Sequence, residues 1–204
     1  MTRLEAIKSL IEPADTIADV GCDHGLIAEY CAKSGMAKNV IASDISAECL
    51  KKAEIALGDM PNVTFFVCDG IRYECDTAVI AGMGGLLISK ILTEAEGKPD
   101  TVITCPHRDC YAVRKTLAEL GYCIDGDVAI ADRGKFYSVI RAKRCENPQR
   151  LSEIQLNFGV YCDEKCEALA DYLSKLYNTY MKAPVKNAEI LALVREAIRL
   201  QNGI

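Results

Sequence analysis

Two glycine-containing turns and a few acidic side chains are the residues of this chain whose types and spacing could do chemistry. In A-D-V-G-C-D-H-G-L (residues 18–26), Gly21 permits a tight turn and Gly25 lets a ligand approach the backbone where a helix begins. The dinucleotide pattern G-x-G-x-x-G is absent, because Asp23 stands where its second glycine should be. An acidic side chain there opposes a pyrophosphate and suits a ligand with an amine or a positive centre.

S-adenosylmethionine carries both an amine and a positive centre, and three later loops offer groups for the rest of such a ligand. Asp44 in I-A-S-D-I, 23 residues after Gly21, could accept both ribose hydroxyls, with a helix N-cap as the structural alternative. Asp69 in C-D-G could receive an adenine amino group or belong to a plain turn. The glycines of A-G-M-G-G (residues 81–85) precede two leucines rather than Lys, Ser or Thr, which favours an uncharged partner over a phosphate.

The two histidines of the chain, His24 and His107, both fall on loops that are predicted to face the ligand. Two histidines at one rim could hold a metal or exchange protons, but no cluster of ligand residues accompanies them, so no metal is expected. Eleven cysteines are scattered singly without a C-x-x-C pair. Their pattern predicts buried, free thiols in a reducing cytosol rather than a disulfide or zinc framework.

These loops join segments that alternate between strand and helix patterns over the first two thirds of the chain. Strands are predicted at residues 16–20, 39–43, 63–68, 77–81, 101–105, 122–131 and 136–142, and helices at 4–11, 26–34, 46–57, 109–120 and in a segment ending at residue 92. The segment D-R-G-K joins the last two strands and is typical of a hairpin. In an open parallel sheet a ligand binds beyond the carboxyl ends of the strands, where the loops described above lie.

Five strand–helix units followed by an antiparallel hairpin predict an α/β, Rossmann-like fold. Its sheet is expected to be mostly parallel, with helices on both faces and a reversed strand at one edge. A dinucleotide dehydrogenase domain would continue with parallel units, whereas class I methyltransferases finish with this hairpin. The order of elements therefore favours a methyltransferase.

The last quarter of the chain has almost no strand pattern. The segment E-N-P-Q-R predicts a linker, and two amphipathic helices follow at residues 163–181 and 185–200, with Pro184 between them. We therefore expect an S-adenosylmethionine-binding domain over residues 1–145 and a C-terminal helical hairpin over residues 146–204.

The net charge of −5 argues against a generally basic surface for nucleic acid, but the charge is unevenly distributed. Residues 1–97 carry eight basic and 15 acidic side chains, whereas residues 98–144 carry nine and six. A polyanion could dock on the second part, although a solvated mixed surface is the commoner alternative. No apolar run reaches the ~18 residues that cross a bilayer, and the charged N-terminus lacks a signal core, which predicts a cytoplasmic protein.

Taken together, the motifs A-D-V-G-C-D-H-G, I-A-S-D-I, D-G, I-A-G-M-G-G and P-H-R resemble the bacterial tRNA (adenine-22, N1)-methyltransferase family. Members of that family are class I S-adenosylmethionine-dependent enzymes with a C-terminal helical extension, and the resemblance covers nearly the whole chain. It implies transfer of a methyl group to N1 of an adenine in the D-arm of tRNA. The cofactor-binding residues that it implies are Gly21, Asp23, His24, Gly25, Asp44, Ile45, Asp69, Gly70, Ala81 and Gly82.

The resemblance also implies roles at the target base and at the tRNA backbone. Gly82, Met83 and His107 are assigned to the place where cofactor and base meet. The fifth strand of the family ends in Q-P-N, and here the tripeptide is C-P-H, so His107 stands where an asparagine orients the base. The basic residues expected to contact tRNA phosphates are Arg108, Arg114, Lys115, Arg133 and Lys135.

Two other functions remain open at the level of sequence. The chain could be a class I methyltransferase of a small molecule or a protein. It could also be a non-catalytic nucleotide-fold protein whose helical tail forms dimers. We expect a monomer or weak homodimer with no membrane partner.

Overall fold

The computed structural model describes residues 1–183 and 187–203, which form a seven-stranded sheet with helices on both faces and three helices at the C-terminal end. The strands are β1 Ala14–Val20, β2 Ala37–Asp44, β3 Val63–Val67, β4 Thr77–Ala81, β5 Thr101–Cys105, β6 Tyr122–Asp132 and β7 Lys135–Arg144. The helices are α1 Arg3–Leu10, α2 Leu26–Ser34, α3 Ala47–Leu57, α4 Gly85–Thr93, α5 Cys110–Glu119, α6 Glu153–Phe158, α7 Glu167–Lys182 and α8 Ala188–Gln201.

The strand order is β3-β2-β1-β4-β5-β7-β6, with β1 to β5 parallel. The predicted mostly parallel sheet with a C-terminal antiparallel hairpin is therefore confirmed. The reversed strand differs from the prediction in its position, because β7 inserts between β5 and β6 and leaves β6 at the edge. Residues 68–76 connect β3 to β4 without the helix that a fifth strand–helix unit requires. The strand order changes direction between β1 and β4, the place where open α/β sheets bind ligands.

Both faces of the central parallel strands β1, β4 and β5 are buried, which explains the continuous apolar runs of these strands. In β4, Val79 belongs to the core formed with α1, α2 and α3, whereas Ile80 belongs to the core formed with α4 and α5. Successive residues of a strand point to opposite faces, so β4 needs apolar side chains at every position. The two cores hold the strands rigidly and fix where their carboxyl ends lie.

The C-terminal helices form a third apolar core around Leu173, Val194 and Ala197. The first predicted helix begins at Glu167 rather than at residue 163, and the predicted start at Val185 and break at Pro184 lie outside the described residues. Helix α6 was not predicted, although the capping-box sequence S-E-I-Q marks its start.

Arg114 is not available to a phosphate, and its predicted contact with tRNA is wrong. Its side chain is fully buried, and its Nε lies 2.8 Å from Oδ2 of Asp127 on β6. Its other nitrogens donate to the Leu156 carbonyl oxygen at 3.0 Å and to Ser138 Oγ at 2.8 Å. Arg114 therefore joins α5 to the hairpin and to α6. The pattern of α5 did not reveal this, because the partners lie far away along the chain.

The prediction of free thiols is wrong for two cysteines. Cys123 near the start of β6 and Cys145 just after β7 form a disulfide, with their Cα atoms 5.8 Å apart. The antiparallel pairing of β6 with β7 brings these positions together, although 22 residues separate them in sequence. The other nine cysteines are free.

Candidate active site

The loops that follow β1 to β5 are tied to one another by backbone hydrogen bonds. The amide of Gly21 donates to the Ser43 carbonyl oxygen at 2.8 Å, which links the first loop to the end of β2. On the other side of the switch point, the amide of His107 donates to the Met83 carbonyl oxygen at 2.9 Å. Gly85 sits so close to the loop after β5 that a Cβ would lie 2.3 Å from the Asp109 carbonyl oxygen. Only glycine allows these two loops to approach so closely.

The loops enclose a cavity of about 500 Å³ at the carboxyl ends of the parallel strands, here called the strand-end cavity. The predicted site residues that line it are Gly21, Asp23, Asp44, Ile45, Asp69, Gly70, Ala81, Gly82, Met83 and His107. Predicted residues from five separate loops thus surround one volume.

His24 and Gly25, which were also predicted to bind the cofactor, are not among the residues that line the strand-end cavity. The His24 side chain is 65% exposed and its Nε2 lies 3.4 Å from Oδ2 of Asp23. Gly25 precedes α2 with a positive φ of 67°, and a Cβ there would lie 2.8 Å from Leu57 Cδ1. The absence of a side chain at Gly25 therefore allows α2 to pack closely on α3.

Asp44 is half-buried at the cavity wall, and only one of its oxygens is used by the protein. Its Oδ1 accepts a hydrogen bond from the Ser46 amide at 2.8 Å, and Ser46 Oγ in turn caps α3 through the Cys49 amide. No hydrogen bond to Oδ2 occurs among the described residues. Ser46 is therefore the helix N-cap, as predicted, and the Asp44 carboxylate keeps an acceptor for a ligand hydroxyl.

Asp23 and Gly82 present different groups to a ligand, a carboxylate and a backbone without a side chain. Asp23 Oδ1 lies 3.0 Å from Lys52 Nζ, and this hydrogen bond lowers the pKa of Asp23, so the side chain is an anion that is already partly neutralised. Gly82 has a positive φ of 82°, and a Cβ there would meet no atom within 4 Å. Gly82 therefore exposes its backbone to the cavity, whereas Asp23 offers only its remaining carboxylate surface.

Asp19 is a buried carboxylate beneath the first loop that the sequence analysis did not single out. Its Oδ2 accepts a hydrogen bond from the Ala28 amide at 3.0 Å, which fixes the start of α2 against the end of β1. Burial raises the pKa of Asp19 to about 6, against the lowering effect of hydrogen bonds from Ala28 and Ile27.

This shift predicts a pH dependence of stability that the substitution Asp19→Asn removes. Because the folded state binds the Asp19 proton more tightly than the unfolded state, its contribution is complete below the ordinary pKa of 3.8 and is lost as the pH rises through about 6. We expect the free energy of unfolding of the variant, relative to the parent protein, to increase between about pH 4 and about pH 7. Urea unfolding at several pH values measures it, and parallel profiles for the two proteins would contradict it.

Six residues line the strand-end cavity that the sequence analysis did not assign to it: Arg3, Val20, Ser43, Cys68, Leu87 and Ile91. Two of them had a detectable signal. Cys68 directly precedes Asp69, and Leu87 lies two residues after the glycine-rich loop. Arg3 had none, because it lies about 100 residues from the loop that it meets.

His107 lies at the rim of the cavity and contacts α1 and β7. Arg3 Nη1 is 2.8 Å from His107 Nε2, and the centroids of the His107 and Tyr137 rings are 6.2 Å apart. Partial burial, followed by the charges of Arg3 and Lys135, lowers the pKa of His107. The neutral imidazole is therefore the favoured form at pH 7.

A second depression of about 680 Å³, here called the groove, runs between α7 and the loop after β5. Among the described residues, His107 alone lines both the groove and the strand-end cavity. The basic side chains of that part of the chain that line the groove are Arg108, Lys135 and Lys175, together with the acidic Asp109 and Asp171.

Two of the basic residues predicted to contact tRNA lie outside the groove. Lys115 is exposed on α5, with Nζ 4.0 Å from Glu119 Oε1, and Arg133 is exposed in the turn between β6 and β7. Of the five predicted contacts, only Arg108 and Lys135 line the groove.

Within residues 1–183 and 187–203, no group of three or more His, Cys, Asp or Glu side chains is arranged to hold a metal ion. None of the helices in those ranges has the length and apolar character needed to cross a membrane.

A mostly parallel sheet that ends in an antiparallel hairpin, with an acidic group at the end of β2 and a cavity at the switch point, is the arrangement of a class I methyltransferase. The model of the family described as a methyltransferase domain matches residues 1–140, and the chain belongs to that family.

Among its relatives, a putative tRNA methyltransferase of Mycoplasma genitalium is 25% identical over 96% of both chains. The tRNA (adenine(22)-N(1))-methyltransferase of Bacillus subtilis is 26% identical over 78% of this chain and 71% of its own. The structure of Mycoplasma capricolum TrmK with S-adenosyl-homocysteine has a TM-score of 0.84 at 20% identity and covers 100% of this chain and 96% of its own. At 20% identity, the similarity to this last structure shows a shared fold only.

Proposed function

We propose that this protein transfers the methyl group of S-adenosylmethionine to N1 of an adenine in the D-arm of tRNA. The proposal rests on one observation. His107 lines both the strand-end cavity, which has acidic side chains in its wall, and the groove, which has three basic side chains among its described residues. The family membership and the names of the relatives support the same reaction.

The strand-end cavity fits S-adenosylmethionine in size and in chemistry. A volume of about 500 Å³ lies in the range of cofactor sites. The unused Asp44 oxygen suits a ribose hydroxyl, and the Leu87 and Ile91 side chains provide an apolar wall for a base. The open space at Gly82 allows a bulky group to approach the backbone. We propose that Asp69 and Gly70 border the adenine of this cofactor.

When bound, S-adenosylmethionine supplies a methyl carbon on a positively charged sulfur. The lone pair of adenine N1 forms the new bond to that carbon while the carbon–sulfur bond breaks and its electron pair goes to sulfur. No proton has to leave N1 before attack, so the protein needs no strong base. Its task is to place the two reactants in line, which is the contribution of Gly82, Met83 and His107 at the meeting point.

We propose that the groove holds tRNA beside the target adenine, with Arg108, Lys135 and Lys175 facing phosphates. We propose a cofactor domain at residues 1–145 and a helical extension at residues 146–204. Helix α7 of the extension forms one wall of the groove. Both volumes occur in one copy of the chain, which supports action as a monomer. Because its proposed substrate is tRNA, we propose a cytoplasmic location.

Nucleoside mass spectrometry tests this function. Unmodified bacterial tRNA incubated with the protein and methyl-labelled S-adenosylmethionine is expected to yield labelled N1-methyladenosine. The same tRNA with the adenines of its D-arm replaced by guanine is the matched control and is expected to yield none. Absence of labelled N1-methyladenosine from the first reaction would contradict the proposal.

His107→Asn tests the role of the rim residue. If the side chain orients the base by a hydrogen bond, the amide replaces it, and we expect kcat/KM within about threefold of the parent protein or above it. His107→Ala, which makes no hydrogen bond, is expected to lower kcat/KM at least about tenfold. Complete inactivation by the asparagine variant would instead indicate a role that only histidine fills.

A further inference from the structure

Arg3 is placed against His107 by three separate contacts. It is the first residue of α1, and its backbone amide donates to Asp132 Oδ2 on β6 at 3.3 Å. Its guanidinium carbon lies 5.2 Å from the centroid of the Tyr137 ring on β7, within the range of a cation–π contact. Its Nη1 reaches His107 Nε2 at 2.8 Å. The side chain is thus held between α1, the hairpin and the rim of the strand-end cavity.

The contact with the Arg3 guanidinium determines which ring nitrogens of His107 carry hydrogen. Arginine has only hydrogen-bond donors, so His107 Nε2 must be the acceptor in the contact with Arg3. An imidazolium carries hydrogen on both ring nitrogens and cannot accept. The ring is therefore neutral, with its single hydrogen on Nδ1.

We propose that Arg3 is a positioning residue that fixes this tautomer, so that His107 offers the target base one hydrogen-bond donor, Nδ1–H. The proposal rests on the function proposed above. Among the described residues, no hydrogen bond occupies Nδ1. With Nε2 engaged, the ring cannot accept a hydrogen from the adenine amino group, whereas an asparagine could both donate and accept. Its partner on the base is then a ring nitrogen other than N1, whose lone pair forms the new bond.

The two cations that shift the pKa of His107 act in the same direction. Arg3 approaches from α1 and Lys135 from β7, and both lower the pKa of His107, after partial burial as the largest cause. Tyr137 on β7 presents an uncharged ring, and Asp109 is two residues further along the same loop, with its Oδ2 3.5 Å from Arg108 Nε. Loss of the Arg3 charge raises the pKa of His107, so protonation of the ring at mildly acidic pH becomes easier.

The state of the ring can be observed without any substrate. The chain has only two histidines, so long-range ¹H–¹⁵N spectra of the free protein, assigned with His24→Gln, report the protonation of each His107 nitrogen. We expect hydrogen on Nδ1 alone at pH 7. A ring with its hydrogen on Nε2 would overturn the proposal, whether or not the protein methylates tRNA, because this measurement uses neither tRNA nor cofactor.

Two variants separate the hydrogen bond from the charge. Arg3→Met removes both, and we expect a mixture of the two tautomers and easier protonation of His107. Lys135→Met removes a charge without touching the hydrogen bond, and we expect easier protonation with hydrogen still on Nδ1 in the neutral ring. A single Nδ1–H tautomer in folded Arg3→Met would overturn the proposal, and if that variant fails to fold, the spectrum of the parent protein still decides.

The consequence for activity appears in the pH profile. Arg3→Met is expected to lower the ratio of kcat/KM at about pH 6 to that at about pH 8 by at least about threefold. At the lower pH a protonated His107 keeps Nδ1–H but places a positive charge beside an adenine that itself becomes positively charged on methylation. In the His107→Asn background the same change is expected to leave this ratio unaltered. An equal loss at both pH values in both backgrounds would mark Arg3 as a merely structural residue.

Discussion

Arg114→Met is expected to lower the free energy of unfolding by about 3–5 kcal/mol, because it leaves the Asp127 carboxylate buried without its partner. Both side chains of this pair are only 1% exposed. Asp127 Oδ2 also accepts a hydrogen bond from the Val160 amide at 2.9 Å, so the pair holds the segment after α6 as well as α5. Urea unfolding followed by circular dichroism measures the loss.

Lys115→Met on the same helix is the matched control for this prediction. Its exposed pair with Glu119 is expected to contribute less than about 1 kcal/mol. Because Arg114 also contacts the Leu156 carbonyl oxygen, limited proteolysis is expected to cut Arg114→Met first in residues 146–183. Equal stability losses for the two variants would show that the buried pair does not hold the extension.

Asp44→Ala is expected to weaken binding of S-adenosylmethionine about 10- to 100-fold, because it removes a carboxylate whose hydrogen bonds to a ligand contribute about 1.5–3 kcal/mol. The fold should persist, since the only hydrogen bond that the side chain makes among the described residues is the one from the Ser46 amide. Isothermal titration calorimetry measures the dissociation constant, and thermal unfolding checks the fold.

Asp15→Ala provides the control for this second prediction. Asp15 is an exposed carboxylate at the opposite end of β1, paired with Lys38 at 2.7 Å on the surface. We expect its loss to leave cofactor affinity unchanged. An unchanged affinity in Asp44→Ala itself would mean that the ribose does not bind at the end of β2.

The strand-end cavity could be predicted well from the sequence because its residues are local to strand ends. Apolar runs located the parallel strands, and the first four runs were followed by a glycine or an acid, as at Asp44, Asp69 and Gly82. Parallel strands bring their carboxyl ends to one edge, so residues far apart in sequence were placed together without knowing the strand order. Gly25 shows the limit of this reasoning, because a glycine at the same edge serves packing against Leu57.

The features that could not be predicted all depend on pairings between distant segments. Arg114 looks like a polar residue on an amphipathic helix until β6 places Asp127 against it. Arg3 reaches His107 only because α1 packs over the hairpin. The groove requires α7 to lie beside the loop after β5, and Phe136 on β7 and Tyr172 on α7 stack there with ring centroids 4.1 Å apart. No local pattern encodes these contacts.

The meeting of cavity and groove at the single residue His107 has a kinetic consequence. For the proposed reaction, two separate openings predict that S-adenosylmethionine and tRNA bind in either order. They also predict that spent cofactor is exchanged while the tRNA stays bound, so that the order of substrate addition follows the concentrations of the two substrates.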